Sequence, residues 1–194
     1  MRVIAGAAKG RRLRAPHGQA VRPTADRVKE ALFSIVQSRF DLDGTTLLDL
    51  FAGSGALGIE GLSRGAARAV FVEQAPTARR VLAANLELCG LAQRSHIVPR
   101  PVHHAITELA AGGERFNGVF MDPPYGQGLA DRSLTQLGGS GLVGPGGWVA
   151  VEHHVADVLA EAYGPLRLTA ARRYGKTAVA VFSDSRTVEQ AAAS

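Results

Sequence analysis

Leu47-Leu48-Asp49-Leu50-Phe51-Ala52-Gly53-Ser54-Gly55-Ala56-Leu57-Gly58 restricts the fold more than any other stretch of this chain. An apolar run with the length of a buried strand enters a Gly-x-Gly-x-x-Gly turn, and an apolar helical pattern leaves it. The glycines permit a tight turn and close backbone approach, and Glu73 stands twenty residues past Gly53 at the end of the next apolar run. Such a loop is weak evidence alone. Between a strand and a helix, with an acid at that distance, it fits a nucleotide-binding crossover whose acid accepts from ribose hydroxyls.

The surrounding pattern agrees. Strands are expected at 46–50, 69–73, 96–98, 118–121 and 148–152, alternating with helices at 56–64, 77–88, 106–110, 129–137 and 155–162. A helix from Thr24 to about Phe40 precedes them, and 166–173 with 177–182 read as a closing antiparallel pair. Strands separated by helices imply an α/β fold, a mostly parallel Rossmann-like sheet covered on both faces. With 194 residues, 46% of them apolar, the chain can bury the core of one such domain. Its single cysteine, Cys89, excludes an internal disulfide framework and reads as a small buried hydrophobe. No apolar run reaches a membrane span and the first residues do not resemble a signal peptide, so a cytoplasmic location is expected.

The fourth strand ends abruptly. Val119-Phe120-Met121 runs into Asp122-Pro123-Pro124-Tyr125, and prolines cannot donate ladder hydrogen bonds, so the strand must stop. An acid, free carbonyls and an aromatic face are thus presented at the carboxyl edge of the sheet, where open α/β folds bind ligands. The bland alternative is a Pro-Pro turn with a packed tyrosine.

Asp49, four residues before the first glycine, identifies the ligand opposite. A carboxylate there repels a pyrophosphate but suits a ligand with an amino group and a sulfonium. S-adenosylmethionine has both and no phosphate. Asp49, Phe51, Gly53, Gly55 and Glu73 are the candidate cofactor residues, and Asp122, Pro123, Pro124 and Tyr125 the candidate catalytic corner. Methylation of an exocyclic base amine fits the pair. Asp122 and the Pro123 carbonyl would accept the two N–H bonds, and Tyr125 would stack on the base, an interaction worth about 1–3 kcal/mol.

The net charge of +5 is localised. Arg2, Lys9, Arg11, Arg12, Arg14, Arg22, Arg27 and Lys29 crowd the first thirty residues against Asp26 and Glu30, and the remainder is close to neutral. Residues 1–22 read as a basic β-hairpin arm, 23–183 as the catalytic domain and 184–194 as a frayed tail. Arg2, Lys9, Arg11, Arg12, Arg14 and Arg22 suit phosphate contacts with RNA. A charged edge that resists aggregation is the alternative.

Arg22-Pro23-Thr24-Ala25-Asp26-Arg27-Val28-Lys29-Glu30-Ala31-Leu32-Phe33, the glycine loop and Asp122-Pro123-Pro124-Tyr125 occur in that order, with Arg2-Val3-Ile4-Ala5-Gly6 before them and Tyr174-Gly175-Lys176-Thr177 after. Together they resemble the bacterial guanine-N2 methyltransferases of small-subunit ribosomal RNA, the RsmD family. The resemblance implies a seven-stranded methyltransferase sheet with its last strand antiparallel, S-adenosylmethionine as cofactor and a guanine of 16S ribosomal RNA as target. A partly assembled ribosomal particle is the expected partner and a monomer the expected state. Where related enzymes place a polar residue near the adenine, this chain reads Pro99-Arg100-Pro101-Val102-His103-His104, which leaves backbone groups of Val102 or His103 for that contact. The pairs His103-His104 and His153-His154 have no spacing that completes a metal site, and no metal is expected. A DNA adenine or cytosine amine methyltransferase, and a non-catalytic RNA-binding protein on a vestigial nucleotide fold, are the rival readings.

Overall fold

A computed structural model of the chain describes residues 1–15 and 23–186. Residues 16–22, the end of the expected basic arm with Arg22, and the chain beyond 186 lie outside the described residues, as do the side chains of 23–25. The elements are α1 (Pro23–Gln37), β1 (Thr46–Leu50), α2 (Ala56–Ser63), β2 (Arg68–Val72), α3 (Pro76–Cys89), β3 (Ser95–Val98), α4 (Val102–Ala111), β4 (Phe116–Met121), α5 (Leu129–Ser140), β5 (Val143–His154), β6 (Ala162–Tyr163), β7 (Leu166–Tyr174) and β8 (Thr177–Asp184), with one 3-10 turn at Ala92–Arg94.

They form one sheet of eight strands in the order β3-β2-β1-β4-β5-β8-β7-β6. β1 to β5 pair in parallel, and β8 runs antiparallel to both β5 and β7. The eighth strand, absent from the seven-stranded expectation, is the two-residue β6 against β7. Chain order reverses between β1 and β4, the switch point at which open α/β sheets bind ligands.

Alternation along the buried strands feeds two cores. Leu47, Phe71, Phe120, Trp148, Ala150, Val179 and Val181 pack beneath α1, α2, α3 and the N-terminal segment. Leu48, Val70, Val119, Met121, Val149 and Val151 pack beneath α4 and α5. α1 is pinned by aromatic contacts. Phe33 lies 5.1 Å from Phe120, and Phe40, just past the helix, stacks 5.8 Å from Trp148 at the start of the buried part of β5. α1 therefore runs opposite to β5, with its N-terminus at the carboxyl edge of the sheet. Gly118 is required by this core, since a Cβ there would sit 2.2 Å from the Trp148 ring.

Expected boundaries shift for identifiable reasons. The helix expected at 155–162 does not form. Val158 is 88% exposed while Leu159 packs against the core, so the apolar residues of the segment are not buried together as one helical face. Its backbone turns instead, with the His154 N–H donating to the Asp157 carboxylate and the Ala160 N–H to the Tyr163 hydroxyl. α1 stops at Gln37, before Phe40, which turns out to reach Trp148. α4 starts at Val102, directly after Pro101, and α5 continues through Gly138, which a Cβ would place 2.2 Å from the Tyr163 carbonyl on β6. β8 reaches Asp184 and Arg186 pairs with it, so residues 184–186, expected in a frayed tail, belong to the folded domain.

The first fifteen residues contain a single antiparallel bridge, Arg2 to Arg12, and are docked on the domain. Gly6, at φ +80°, lies so close to α2 that a Cβ would overlap the Ser63 carbonyl. Ala7 N–H donates to that carbonyl at 2.7 Å and Ala8 N–H to the Ser63 hydroxyl at 2.9 Å. The centre of this interface is Glu60, which is fully buried. Its carboxylate accepts from Ile4 N–H at 2.8 Å and Ala5 N–H at 3.0 Å, and pairs with Lys29 of α1 at 3.1 Å and Arg64 at 2.8 Å. Lys29 also donates to the Arg2 carbonyl at 2.7 Å. Removing one member of a buried ionic set strands the others, typically at about 3–5 kcal/mol. Glu60→Ala should lower the urea-unfolding free energy by roughly that amount. A loss below about 1 kcal/mol would show that the N-terminal segment is held by something else.

Candidate active site at the carboxyl edge

The glycine loop is shaped before it meets any ligand. Phe51 has φ +63°, the only positive value on a non-glycine residue among those described, at a cost on the order of 1–3 kcal/mol. The turn then stitches itself to the end of β2. Ala52 N–H donates to the Val72 carbonyl at 3.0 Å, and Gly53 N–H to Glu73 Oε2 at 2.9 Å. Ala75 N–H donates to Glu73 Oε1 at 2.7 Å. A carboxylate offers about four acceptor sites, so Glu73 keeps two after holding the loop. Gly55, at φ +82°, caps α2 in a conformation that side chains disfavour.

Asp49 is 2% exposed and its Oδ2 accepts from Gly58 N–H, in the first turn of α2, at 2.8 Å. Gly58 makes this possible, since a Cβ would lie 2.3 Å from the Phe71 ring and 3.0 Å from Asp49 Oδ2. The anion at this helix N-terminus is thus supplied by the protein itself, leaving no welcome for a phosphate. Burial pushes the Asp49 carboxyl up to about 7, opposed by the Gly58 hydrogen bond and reinforced by Glu73.

Asp122 follows Met121, which is paired with Val151, and so lies beside Glu152 of β5. It has an exposed side, yet protein crowds its carboxyl group, and this crowding, then Glu152, then Asp49 raise its proton affinity well above the carboxylate range. Pro123 is buried and Pro124 exposed. Tyr125, 40% exposed, donates its hydroxyl to Glu152 Oε1 at 2.9 Å, lies 3.4 Å from Thr177 Oγ1, and leans on the His154 ring 5.7 Å away. Burial, followed by the nearby carboxylates, raises the Tyr125 phenol, which stays a neutral donor. Glu152 is likewise raised by burial, opposed by the Tyr125 hydrogen bond.

The candidate cofactor residues and the candidate corner therefore meet at one edge, on adjacent strands. The basic residues do not converge there. Arg2, Lys9, Arg11, Arg12 and Arg14 are exposed on the N-terminal segment over α2 and α3, where Asn85 clamps the Arg14 backbone at 2.8 and 3.0 Å and donates to the Ser54 carbonyl at 2.9 Å. At the adenine side, the His103 carbonyl is engaged by Thr107 and Gln136, leaving the first-turn N–H groups of α4 for any contact. Trp148 is core, at 1% exposure, and Cys89 packs partly buried against the same core. Among the described residues no group of three or more His, Cys, Asp or Glu could hold a metal. Glu152 and Thr177 were missed in the sequence, since only the pairing of β5 with β4 and β8 brings them to Tyr125.

These carboxyls have a consequence for stability. A carboxyl whose folded-state affinity is raised binds more protons folded than unfolded, so stability is lost as pH climbs from the ordinary range near 4 to the raised value. For Asp49 that window ends at about 7, and the difference is on the order of 4 kcal/mol. The melting temperature of the ligand-free protein should fall between about pH 4 and pH 7. Asp49→Asn should flatten much of that fall and melt higher than the parent at pH 8. An unchanged pH profile would mean that Asp49 is ionised at ordinary pH.

Comparison with known proteins agrees with the fold. The family model described as conserved hypothetical protein 95 matches residues 1–183. YlbH of Bacillus subtilis strain 168, provisionally named an rRNA methyltransferase, is 37% identical over 182 residues, covering 94% of this chain and 98% of that protein. Ribosomal RNA small subunit methyltransferase D of Escherichia coli K12 is 36% identical over 159 residues, covering 82% and 77%. The solved structure of yhhF from Escherichia coli, provisionally named a methyltransferase, superimposes with a TM-score of 0.81 at 33% identity, covering 95% of this chain and 97% of that one. The mostly parallel sheet with antiparallel C-terminal strands is the Rossmann-like methyltransferase fold. By model, sequence and structure, the chain belongs to the conserved hypothetical protein 95 family, that of ribosomal RNA small subunit methyltransferase D.

Proposed function

We propose that this chain transfers a methyl group from S-adenosylmethionine to the exocyclic N2 amine of a guanine in small-subunit (16S) ribosomal RNA, acting as a cytoplasmic monomer on a partly assembled particle. The observation that carries the reading is the split of one sheet edge into two halves, Asp49 in β1 with Glu73 just after β2, and Asp122 with Tyr125 after β4. The first half fits the donor. Asp49 is buried without a cation among the described residues and is raised by that burial, so a ligand carrying an ammonium and a sulfonium would favour its ionised form. Glu73 retains two acceptor sites for a ribose diol. A Cβ on Gly53 would meet nothing nearer than the Phe51 carbonyl at 3.9 Å, so the loop leaves room there for a ligand, and its φ of +55° favours glycine. When bound, the ligand supplies an electrophilic methyl group.

The second half orients the acceptor. An arylamine nitrogen is a poor nucleophile because its lone pair is delocalised into the ring. Asp122 and the Pro123 carbonyl accept its two N–H bonds and favour a pyramidal nitrogen, while Tyr125, tethered through its hydroxyl to Glu152, holds a ring face for the base. The nitrogen becomes acidic only after methylation, so Asp122 serves first in orientation and then as a proton acceptor. The choice of guanine, and of small-subunit RNA over DNA, is supported by the names of the relatives and by the sequence resemblance. An adenine or cytosine amine meets the same hydrogen-bond demands.

Incubating the protein with S-adenosylmethionine labelled in its methyl group and either partly assembled small subunits or duplex DNA separates the readings. Label should enter the ribosomal RNA alone and appear as N2-methylguanine by mass spectrometry of a nuclease digest. Transfer to DNA, or to another base of the RNA, would contradict the proposal.

A further inference from the structure

The hairpin between β7 and β8 ends at Tyr174-Gly175-Lys176, and its tip lies at the same edge as the catalytic corner. Thr177 pairs with His154 at the end of β5, Val155 N–H donates to the Lys176 carbonyl at 3.0 Å, and Thr177 Oγ1 lies 3.4 Å from the Tyr125 hydroxyl. Arg172, Arg173 and Lys176, within a span of five residues, are all exposed on it. Arg172 pairs with Val179, whose side chain is in the core beneath α1, so Arg172 projects on the face that carries Glu152 and Thr177. Tyr174, next along that face, packs against the same core and fixes the tip. Among the described residues no carboxylate pairs with any of the three cations.

Protection of a bare strand edge explains some cationic residues, and β6 covers only the other end of β7. Edge protection does not account for three unneutralised cations at the one end of the hairpin that touches the tyrosine tether. Their place in the sheet adds a second argument. The N-terminal cations lie over α2 and α3, on the β1 and β2 side of the corner, whereas the tip lies on the β8 and β7 side. From β1 to β8 is three strand steps, about 14 Å. A nucleotide seated in the corner sends its backbone away in two directions.

We infer that the β7–β8 tip is a second phosphate-binding surface, with Arg172, Arg173 and Lys176 holding the RNA backbone on the side of the target nucleotide opposite to the N-terminal segment. The inference rests on the ribosomal RNA reading above. Its partner is the phosphate backbone of that RNA, held without regard to sequence.

The test compares R172A/R173A/K176A with the parent in filter binding to small-subunit ribosomal RNA across a salt series. R39A/R115A serves as the control, its two exposed cations lying at the opposite, amino edge of the sheet. The triple variant should bind at least about tenfold more weakly near 0.1 M salt, with the slope of log affinity against log salt reduced by about 2. Melting temperature and S-adenosylmethionine affinity should stay at parental values, and the control should keep its affinity. An unchanged slope, or an equal loss in the control, overturns the inference. If the parent methylates ribosomal RNA and the triple variant keeps its slope, the tip assignment falls alone. If the triple variant loses its slope while the parent methylates no ribosomal RNA, the tip stands and the proposed reaction falls.

Discussion

Strand alternation forces four carboxylates onto one face of this sheet at one edge. Glu73 follows β2, Asp49 lies in β1, Asp122 follows β4 and Glu152 lies in β5, and these are four neighbouring strands. Every residue two positions earlier, Phe71, Leu47, Phe120 and Ala150, is in the core under α1 to α3. Burial, reinforced by neighbouring carboxylates, raises the proton affinity of Asp49 and Asp122, and burial raises that of Glu152. The fold answers each differently. Glu73 is held by two backbone N–H groups, Asp49 by one, and Glu152 by the Tyr125 hydroxyl. Asp122 is the one whose carboxyl is crowded by the protein without such a bond among the described residues. Negative potential that the protein leaves incompletely satisfied is an invitation to N–H donors and cations, and the ligands proposed for the two halves of the edge are of those kinds.

A second constraint keeps the edge covered on its far side. Glu60, buried between the N-terminal segment, α1 and α2, ties residues 4 and 5 to Lys29 and Arg64. From there the chain climbs along α2 and α3 to Asn85, which joins the Arg14 backbone to the glycine loop at Ser54. The basic segment is therefore positioned relative to the cofactor half through its backbone, while its cationic side chains face outward. Burying an ionic set is weak evidence for net stability, but it does fix register, and register is what a positioned RNA contact needs.

Much of this edge was legible in the chain because its determinants are local. The glycine loop, Asp49 and Glu73 declare themselves within one crossover, and two prolines mark the end of β4 whatever surrounds it. Glu152 and Thr177 were not legible, since their role depends on strands paired across the antiparallel end of the sheet. Glu60 carries no mark in the sequence and Lys29 counts there only among the crowded N-terminal cations; both are buried, because the N-terminal segment covers them. The segment at 155–162 shows the opposite error. Val155, Val158 and Leu159 mimic a helical stripe, but Leu159 packs against the core while Val158 is left in solvent. Arg172, Arg173 and Lys176 were lost in a near-neutral stretch of sequence, and only the β8 pairing carries them to the catalytic corner.

The central claim is that the edge has a donor half and an acceptor half that act separately. Calorimetric affinity for S-adenosylmethionine, measured beside methyl transfer for Asp122→Ala and Asp49→Asn, tests it most directly. Asp122→Ala should bind the cofactor within about threefold of the parent and lose transfer by a factor on the order of 10² or more. Asp49→Asn should lose the cofactor itself. Full transfer by Asp122→Ala, or parental cofactor affinity in Asp49→Asn, would contradict the division.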